Sequence, residues 1–159
     1  MSHVRAEVPK VRCVIEGRGT YLAELQSQID VAGVSDIVDL PGFISDNALR
    51  AALHRADCVV IPSLYEPFGV VTLEALAGGA ALVAAETGGL VELVRGNGSA
   101  LTFEPGRAED LAARIVEVLT NPELAAGLRA AARELVEGSY SWGAIARRTV
   151  GVYERALPS

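Results

Sequence analysis

Cys58-Val59-Val60-Ile61-Pro62-Ser63-Leu64-Tyr65-Glu66-Pro67-Phe68-Gly69-Val70-Val71-Thr72-Leu73-Glu74-Ala75-Leu76-Ala77-Gly78-Gly79 is the stretch on which the fold turns. Its first four residues are apolar with no polar alternation, the pattern of a strand covered on both faces in a parallel sheet between helix layers. Residues 62–69 read as a loop, Val70–Ala77 as a helix, and Gly78-Gly79 as its end. A buried strand, a loop and a helix in that order make up most of a βαβ unit.

The alternation continues on both sides. Upstream, residues 11–15 predict a strand closed by Glu16-Gly17-Arg18-Gly19, and Leu22, Leu25, Ile29 and Ala32 keep helical spacing as far as Gly33. Residues 37–40 predict a strand ended by Pro41-Gly42, and Ser45 caps a helix whose inner face is Leu49, Ala52, Leu53 and Ala56. Downstream come a strand at 81–84, a Gly88-Gly89 turn, a short helix at 90–94 and a weaker strand at 101–103. Beyond Pro105-Gly106 the pattern is purely helical. Leu111, Ile115, Val118 and Leu119 form one stripe, Asn121-Pro122-Glu123 opens a second helix, and Ser141 caps a last one bearing Trp142, Ile145, Thr149 and Tyr153. No repeat, linker or low-complexity tract interrupts this.

The expectation is a single domain over residues 1–159. It is an α/β fold, a doubly wound Rossmann-like parallel sheet of about five strands, with helices on both faces and a helical C-terminus. Ligands of such sheets gather at the carboxyl ends of the strands, which directs attention to residues 16–19, 41–44 and 62–72.

Half of the 159 residues are hydrophobic and the net charge is −6. That balance gives no general attraction to nucleic acid or anionic lipid, so neither is expected as a partner. Cys13 and Cys58 sit in apolar runs without a nearby His or second Cys and read as small buried hydrophobes. Nothing resembles a signal peptide, and no apolar run approaches the roughly 18 residues of a membrane span, so a cytoplasmic protein is expected. His54 reads as a surface or half-buried helix histidine, and Arg107, Arg114, Arg129 and Arg133 as a solvated face among acids.

Chemistry is concentrated at residues 66–74. Gly69 lets another molecule approach the backbone, and the amides of Val70, Val71 and Thr72 are first-turn donors with the positive end of the helix dipole behind them. Such a site suits a diphosphate. Glu66 and Glu74 have seven residues between them. Were both helical, they would stand about 12 Å apart along the axis, more than the roughly 5–10 Å of a glycosidase pair. They fit better as acceptors for sugar hydroxyls on either side of the phosphates, or else as solvated surface acids.

The run Glu66-Pro67-Phe68-Gly69-Val70-Val71-Thr72-Leu73-Glu74-Ala75-Leu76-Ala77-Gly78-Gly79 resembles the Glu-x7-Glu signature of family 4 retaining glycosyltransferases. Ile61-Pro62-Ser63, Glu86-Thr87-Gly88-Gly89 with Val91-Glu92-Leu93-Val94, and Tyr140-Ser141-Trp142 match as well, so the similarity covers nearly the whole chain. The resemblance implies the glycosyltransferase-B architecture, two Rossmann-like domains across a cleft, of which this chain is the C-terminal, nucleotide-sugar-binding one. It implies that Glu66 meets the donor sugar as an orienting and electrostatic residue, not as the nucleophile, and that Glu74 meets the ribose. The amides of Phe68, Gly69 and Val70 would meet sugar hydroxyls and phosphate, while Gly17, Gly42, Phe43 and Ile44 would line the nucleotide and base pocket. No cofactor and no metal is implied, the donor being UDP- or ADP-glucose first and GDP-mannose next. The Ser-Leu-Tyr-Glu-Pro-Phe-Gly stretch is especially like enzymes of glycogen-synthase type.

The chain also departs from the pattern. Family members have, ahead of the strand at 11–15, another strand ending in Gly-Arg with a following lysine, and only residues 1–10 stand there. The expectation is a gap in the sheet, filled by the missing N-terminal domain, a second chain, or an exchanged segment in a homodimer or swapped assembly. Gly79-Ala80-Ala81 replaces the usual Gly-x-Pro, Arg18 stands where a small or acidic residue is common, and the 95–101 loop is short. The rival expectations are a non-catalytic orphan or truncated interaction module, and an epimerase or phosphorylase of the same architecture.

Overall fold

The computed structural model describes residues 1–156. Five short strands, β1 (Cys13–Glu16), β2 (Val38–Gly42), β3 (Val59–Ile61), β4 (Leu82–Ala85) and β5 (Ala100–Phe103), pair only in parallel. Helices α2 (Leu22–Val31), α3 (Asp46–Arg55), α4 (Val70–Ala77) and α5 (Gly88–Val94) connect them in turn. Helix α1 (Ser2–Glu7) precedes β1, while α6 (Ala108–Thr120), α7 (Pro122–Leu135), a π turn (Val136–Tyr140) and α8 (Trp142–Ala156) follow β5. The doubly wound α/β expectation is met in all its elements.

The strands form two ladders. In one, Cys13 stands opposite Val38 and Glu16 opposite Gly42; in the other, Val59, Leu82 and Ala100 lie in register across β3, β4 and β5. No ladder joins β1 to β3, so the sheet is broken between them among the described residues. The core divides accordingly. The larger part packs α4, α5 and α7 around β4, whose four residues are all fully buried. The smaller part gathers Val4, Val11, Ile29, Val38 and Ile115, and Val60 packs against both.

The caps read from the sequence are present: the Ser45 hydroxyl accepts from the Ala48 amide at 3.3 Å, and the Asn121 side chain from the Leu124 amide at 3.0 Å. Other expectations are corrected. The fully covered strand is β4. Strand β3 is half-buried at Val59 and Val60 because its other edge faces the break. Pro41 and Gly42 are the last residues of β2 and do not lie beyond it, since the Gly17 amide donates to the Gly42 carbonyl at 3.1 Å and carries the pairing past a register shift between Val14 and Glu16. Gly88 and Gly89 lie in the first turn of α5.

Helix α1 was not foreseen. It is held by the fully buried Val4, by the Arg5 guanidinium donating to the Gly33 carbonyl at 3.0 Å, and by an Arg5–Asp36 ion pair. Both thiols are free and half-buried, so they are less enclosed than expected. Burial nevertheless raises the Cys13 pKa and pushes Cys58 up to about 12. Trp142, Ile145 and Tyr153 of α8 all face solvent, with Ala144 the buried residue of that helix.

Candidate functional site

The loop of residues 62–69 leaves the end of β3 and is fastened from outside by the start of α5. The Thr87 hydroxyl donates to the Leu64 carbonyl at 3.0 Å, and the Gly89 amide donates to the Glu66 carbonyl at 2.8 Å. The fit admits only glycine. A Cβ at Gly88 would stand 2.2 Å from the Glu66 oxygen, and one at Gly89 would stand 2.4 Å from the Pro67 oxygen. Glu86, just ahead of this turn, accepts from the Thr102 hydroxyl at 2.7 Å and from Arg95 at 3.4 Å, which ties the turn to β5.

The loop ends at Gly69, whose φ of +83° suits glycine and whose absent Cβ leaves room for Leu90. There the chain enters α4. Glu66 folds back so that its carboxylate accepts from the Gly69 amide at 3.0 Å, and the Gly69 carbonyl accepts from the Thr72 amide at 2.9 Å. The Thr72 amide, read as an open donor, and the Gly69 amide, which the resemblance assigns to sugar or phosphate, are therefore both taken by local bonds. The amides of Val70 and Val71 have no acceptor among the described residues, and no side chain caps this helix. They point the positive end of α4 outward.

Beside them lies the Thr72 hydroxyl, fully buried and without a partner. Its oxygen is 3.1 Å from where a Gly69 Cβ would be, so it sits under the turn that opens the helix. An unsatisfied buried hydroxyl is uncommon and calls for an explanation such as a ligand. Phe68 and Val70 are exposed around the mouth, and Glu74 is exposed farther along α4. Glu66, Phe68, Gly69, Val70, Val71 and Thr72 are thus assembled at one helix start, with Glu74 on the following turns.

The second group stands at the carboxyl ends of β1 and β2. Gly17 and Gly42 are joined by the backbone bond noted above, Ile44 is half-buried, and Phe43 is exposed. The Arg18 guanidinium lies over the Phe43 ring at 3.6 Å from its centroid. His54 is on the surface of α3, its Nδ1 3.1 Å from the Gly78 carbonyl. No group of three metal-ligating side chains occurs among the described residues. No helix among them is long and apolar enough to cross a membrane.

Sequence reasoning missed the supports of the site. Thr87 and Gly89 could have been suspected from their place after a buried strand, but their hold on residues 64–67 needs the fold. Arg18 was noticed as a departure, and only the structure gives it a neighbour.

A doubly wound α/β domain with an uncapped helix start after β3 belongs to the Rossmann-like class found in glycosyltransferase-B proteins. More particularly, the family model described as glycosyl transferases group 1 matches residues 1–135, and the chain belongs to that family. It is 35% identical over 153 residues to a glycogen synthase of Mycobacterium tuberculosis, covering 96% of this chain and 37% of that protein. It is 30% identical over 152 residues to a GDP-mannose-dependent phosphatidylinositol monomannoside mannosyltransferase of the same species, covering 91% of this chain and 40% of that protein. Among solved structures, Anabaena HepE in complex with UDP superposes with a TM-score of 0.79 at 25% identity, over 98% of this chain and 44% of HepE. The chain therefore spans about two-fifths of the length of these relatives.

Proposed function

We propose that this chain is the donor-binding domain of a retaining hexosyltransferase, holding a nucleoside diphosphate hexose for transfer to a hydroxyl acceptor. The observation that carries this is the start of α4, where the amides of Val70 and Val71 have no acceptor and the Glu66 carboxylate lies against the Gly69 amide beside them. Two open amides with a helix dipole behind them suit the diphosphate. Relatives named for glycogen synthesis and for GDP-mannose-dependent transfer, and a neighbour that binds UDP, support the same donor chemistry.

In this reading the bond from the anomeric carbon to the phosphate oxygen breaks on the face that the acceptor oxygen attacks. The acceptor's proton passes to the departing diphosphate. Charge accumulates on that diphosphate, so the amides of Val70 and Val71 act where the transition state needs them. Glu66, once released from the Gly69 amide, orients the sugar hydroxyls, and Glu74 takes the ribose hydroxyls. Glucose as UDP- or ADP-glucose is the first donor choice and GDP-mannose the second, with no metal and no cofactor required.

The acceptor site lies outside these residues, and the break between β1 and β3 takes one further parallel strand from a segment outside them.

Calorimetric titration with UDP, ADP and GDP, with and without chelator, tests this, together with an assay of sugar transfer. We expect saturable binding of at least one nucleotide, chelator-independent and weakened roughly 10- to 100-fold by Glu74→Ala through loss of charged hydrogen bonds. The chain by itself should transfer nothing. Absence of binding at millimolar nucleotide would leave the non-catalytic module as the better account.

A further inference from the structure

We propose that Glu66 makes the site prefer an intact nucleotide sugar to the free nucleoside diphosphate, by competing with the diphosphate for the Gly69 amide, an inference that rests on the donor reading above. Without a donor, the carboxylate is itself the anion at the start of α4. It accepts from the Gly69 amide at 3.0 Å, and the side chain folds back so far that a Cβ on Gly69 would stand 3.4 Å from the Glu66 Cγ. Among the described residues the carboxylate has no other hydrogen bond and no ion pair. One amide and the positive end of the helix therefore hold its charge. A diphosphate needs the same groups.

Release of the amide requires only the side chain to move. The Glu66 carbonyl accepts from the Gly89 amide at 2.8 Å, and Gly88 fits so closely that a Cβ there would lie 2.2 Å from the same oxygen. The backbone is thus pinned from behind, while the half-buried side chain turns about its own bonds. A nucleotide sugar replaces the amide with sugar hydroxyls, so the carboxylate keeps hydrogen-bond donors as it lets go. A free nucleoside diphosphate brings no hydroxyl to that side. It also carries more charge, since a terminal phosphate loses its second proton at about pH 6. It must displace the carboxylate without compensation or sit beside it against like-charge repulsion. After transfer the sugar hydroxyls are gone, the carboxylate returns to the Gly69 amide, and release of the nucleoside diphosphate is favoured.

The test is calorimetric titration of UDP and UDP-glucose, ADP and ADP-glucose, and GDP and GDP-mannose into wild type, Glu66→Gln, Glu66→Ala and Glu74→Ala, with thermal melts to confirm that each variant is folded. Glu66→Gln keeps an oxygen for the Gly69 amide and removes only the charge, so it decides the matter if alanine loosens the loop. In wild type a nucleotide sugar should bind about tenfold more tightly than its own diphosphate. Glu66→Gln should tighten the free diphosphate about three- to tenfold and weaken the nucleotide sugar, so that the ratio closes. Glu66→Ala should do the same, and should also shift the Gly69 amide resonance of the chain without nucleotide, because the acceptor is lost. A free diphosphate that binds Glu66→Gln no more tightly than wild type would overturn the proposal, since the carboxylate would not be competing with it. A wild type that binds every free diphosphate more tightly than its nucleotide sugar would overturn it as well. If diphosphate binding falls in Glu74→Ala but does not rise in Glu66→Gln, the competition fails and the donor reading stands. If no nucleotide binds, both fail.

Discussion

Thr72 has an unusual position for a threonine: its side chain is fully buried, and its hydroxyl has no hydrogen-bond partner. A buried hydroxyl left unpaired costs about 1–3 kcal/mol of desolvation. Valine has the same branched shape without that cost. Thr72→Val should therefore keep or raise stability, by up to about 1 kcal/mol, and lift the melting temperature by roughly 2–4 °C. If the hydroxyl exists to meet the diphosphate, the same variant should bind nucleotide several-fold more weakly. A lower melting temperature with unchanged affinity would give the hydroxyl a structural role instead. The place of Thr72 in the first turn of a helix was legible from the sequence. Its lack of a partner was not, because that depends on how Gly69 folds the turn over it.

Among the elements, the decisive relation is between the loop after β3 and the start of α5. The Gly89 position faces the Pro67 oxygen and the Phe68 Cα, and a Cβ there would lie 2.4 Å and 2.8 Å from them. Both neighbours are backbone, so the loop itself must retreat. Gly89→Ala should cost about 1–3 kcal/mol by overpacking and lower nucleotide affinity at least tenfold by opening the loop around Glu66. Differential scanning calorimetry with nucleotide titration would show both. Gly127→Ala, in α7 with nothing within 4 Å, is the control and should stabilise. A Gly89→Ala protein that melts and binds like wild type would mean that the loop is not held by this contact.

Periodicity delivered α4 with its observed bounds, because a helix between a buried strand and two glycines has sharp edges. It misjudged Gly88-Gly89 as a turn, since glycine there answers a close contact across the fold and breaks no helix. Pro41-Gly42 was misjudged for a similar reason: the bond from Gly17 that extends β2 comes from another strand's connection.

For the whole molecule, strand number and parallel sense follow from the alternation of apolar runs and amphipathic segments. The break between β1 and β3 does not follow from periodicity, because strand order is set by the crossovers. It was anticipated only through the resemblance, and helix α1 was not anticipated at all. Six residues with a single buried valine carry too little pattern to be read as a helix. In α8 the apolar positions were legible, but what faces them was not, and they stand in solvent.

The central claim concerns the start of α4, and it is tested most directly by following the backbone amide resonances of the labelled chain as UDP or GDP is added. Saturable shifts should concentrate on Val70 and Val71, accompanied by Gly69 as Glu66 releases its amide. The corresponding nucleosides, lacking the diphosphate, should leave the Val70 and Val71 resonances in place. Saturable binding that moves other parts of the chain and spares the first turn of α4 would contradict the account.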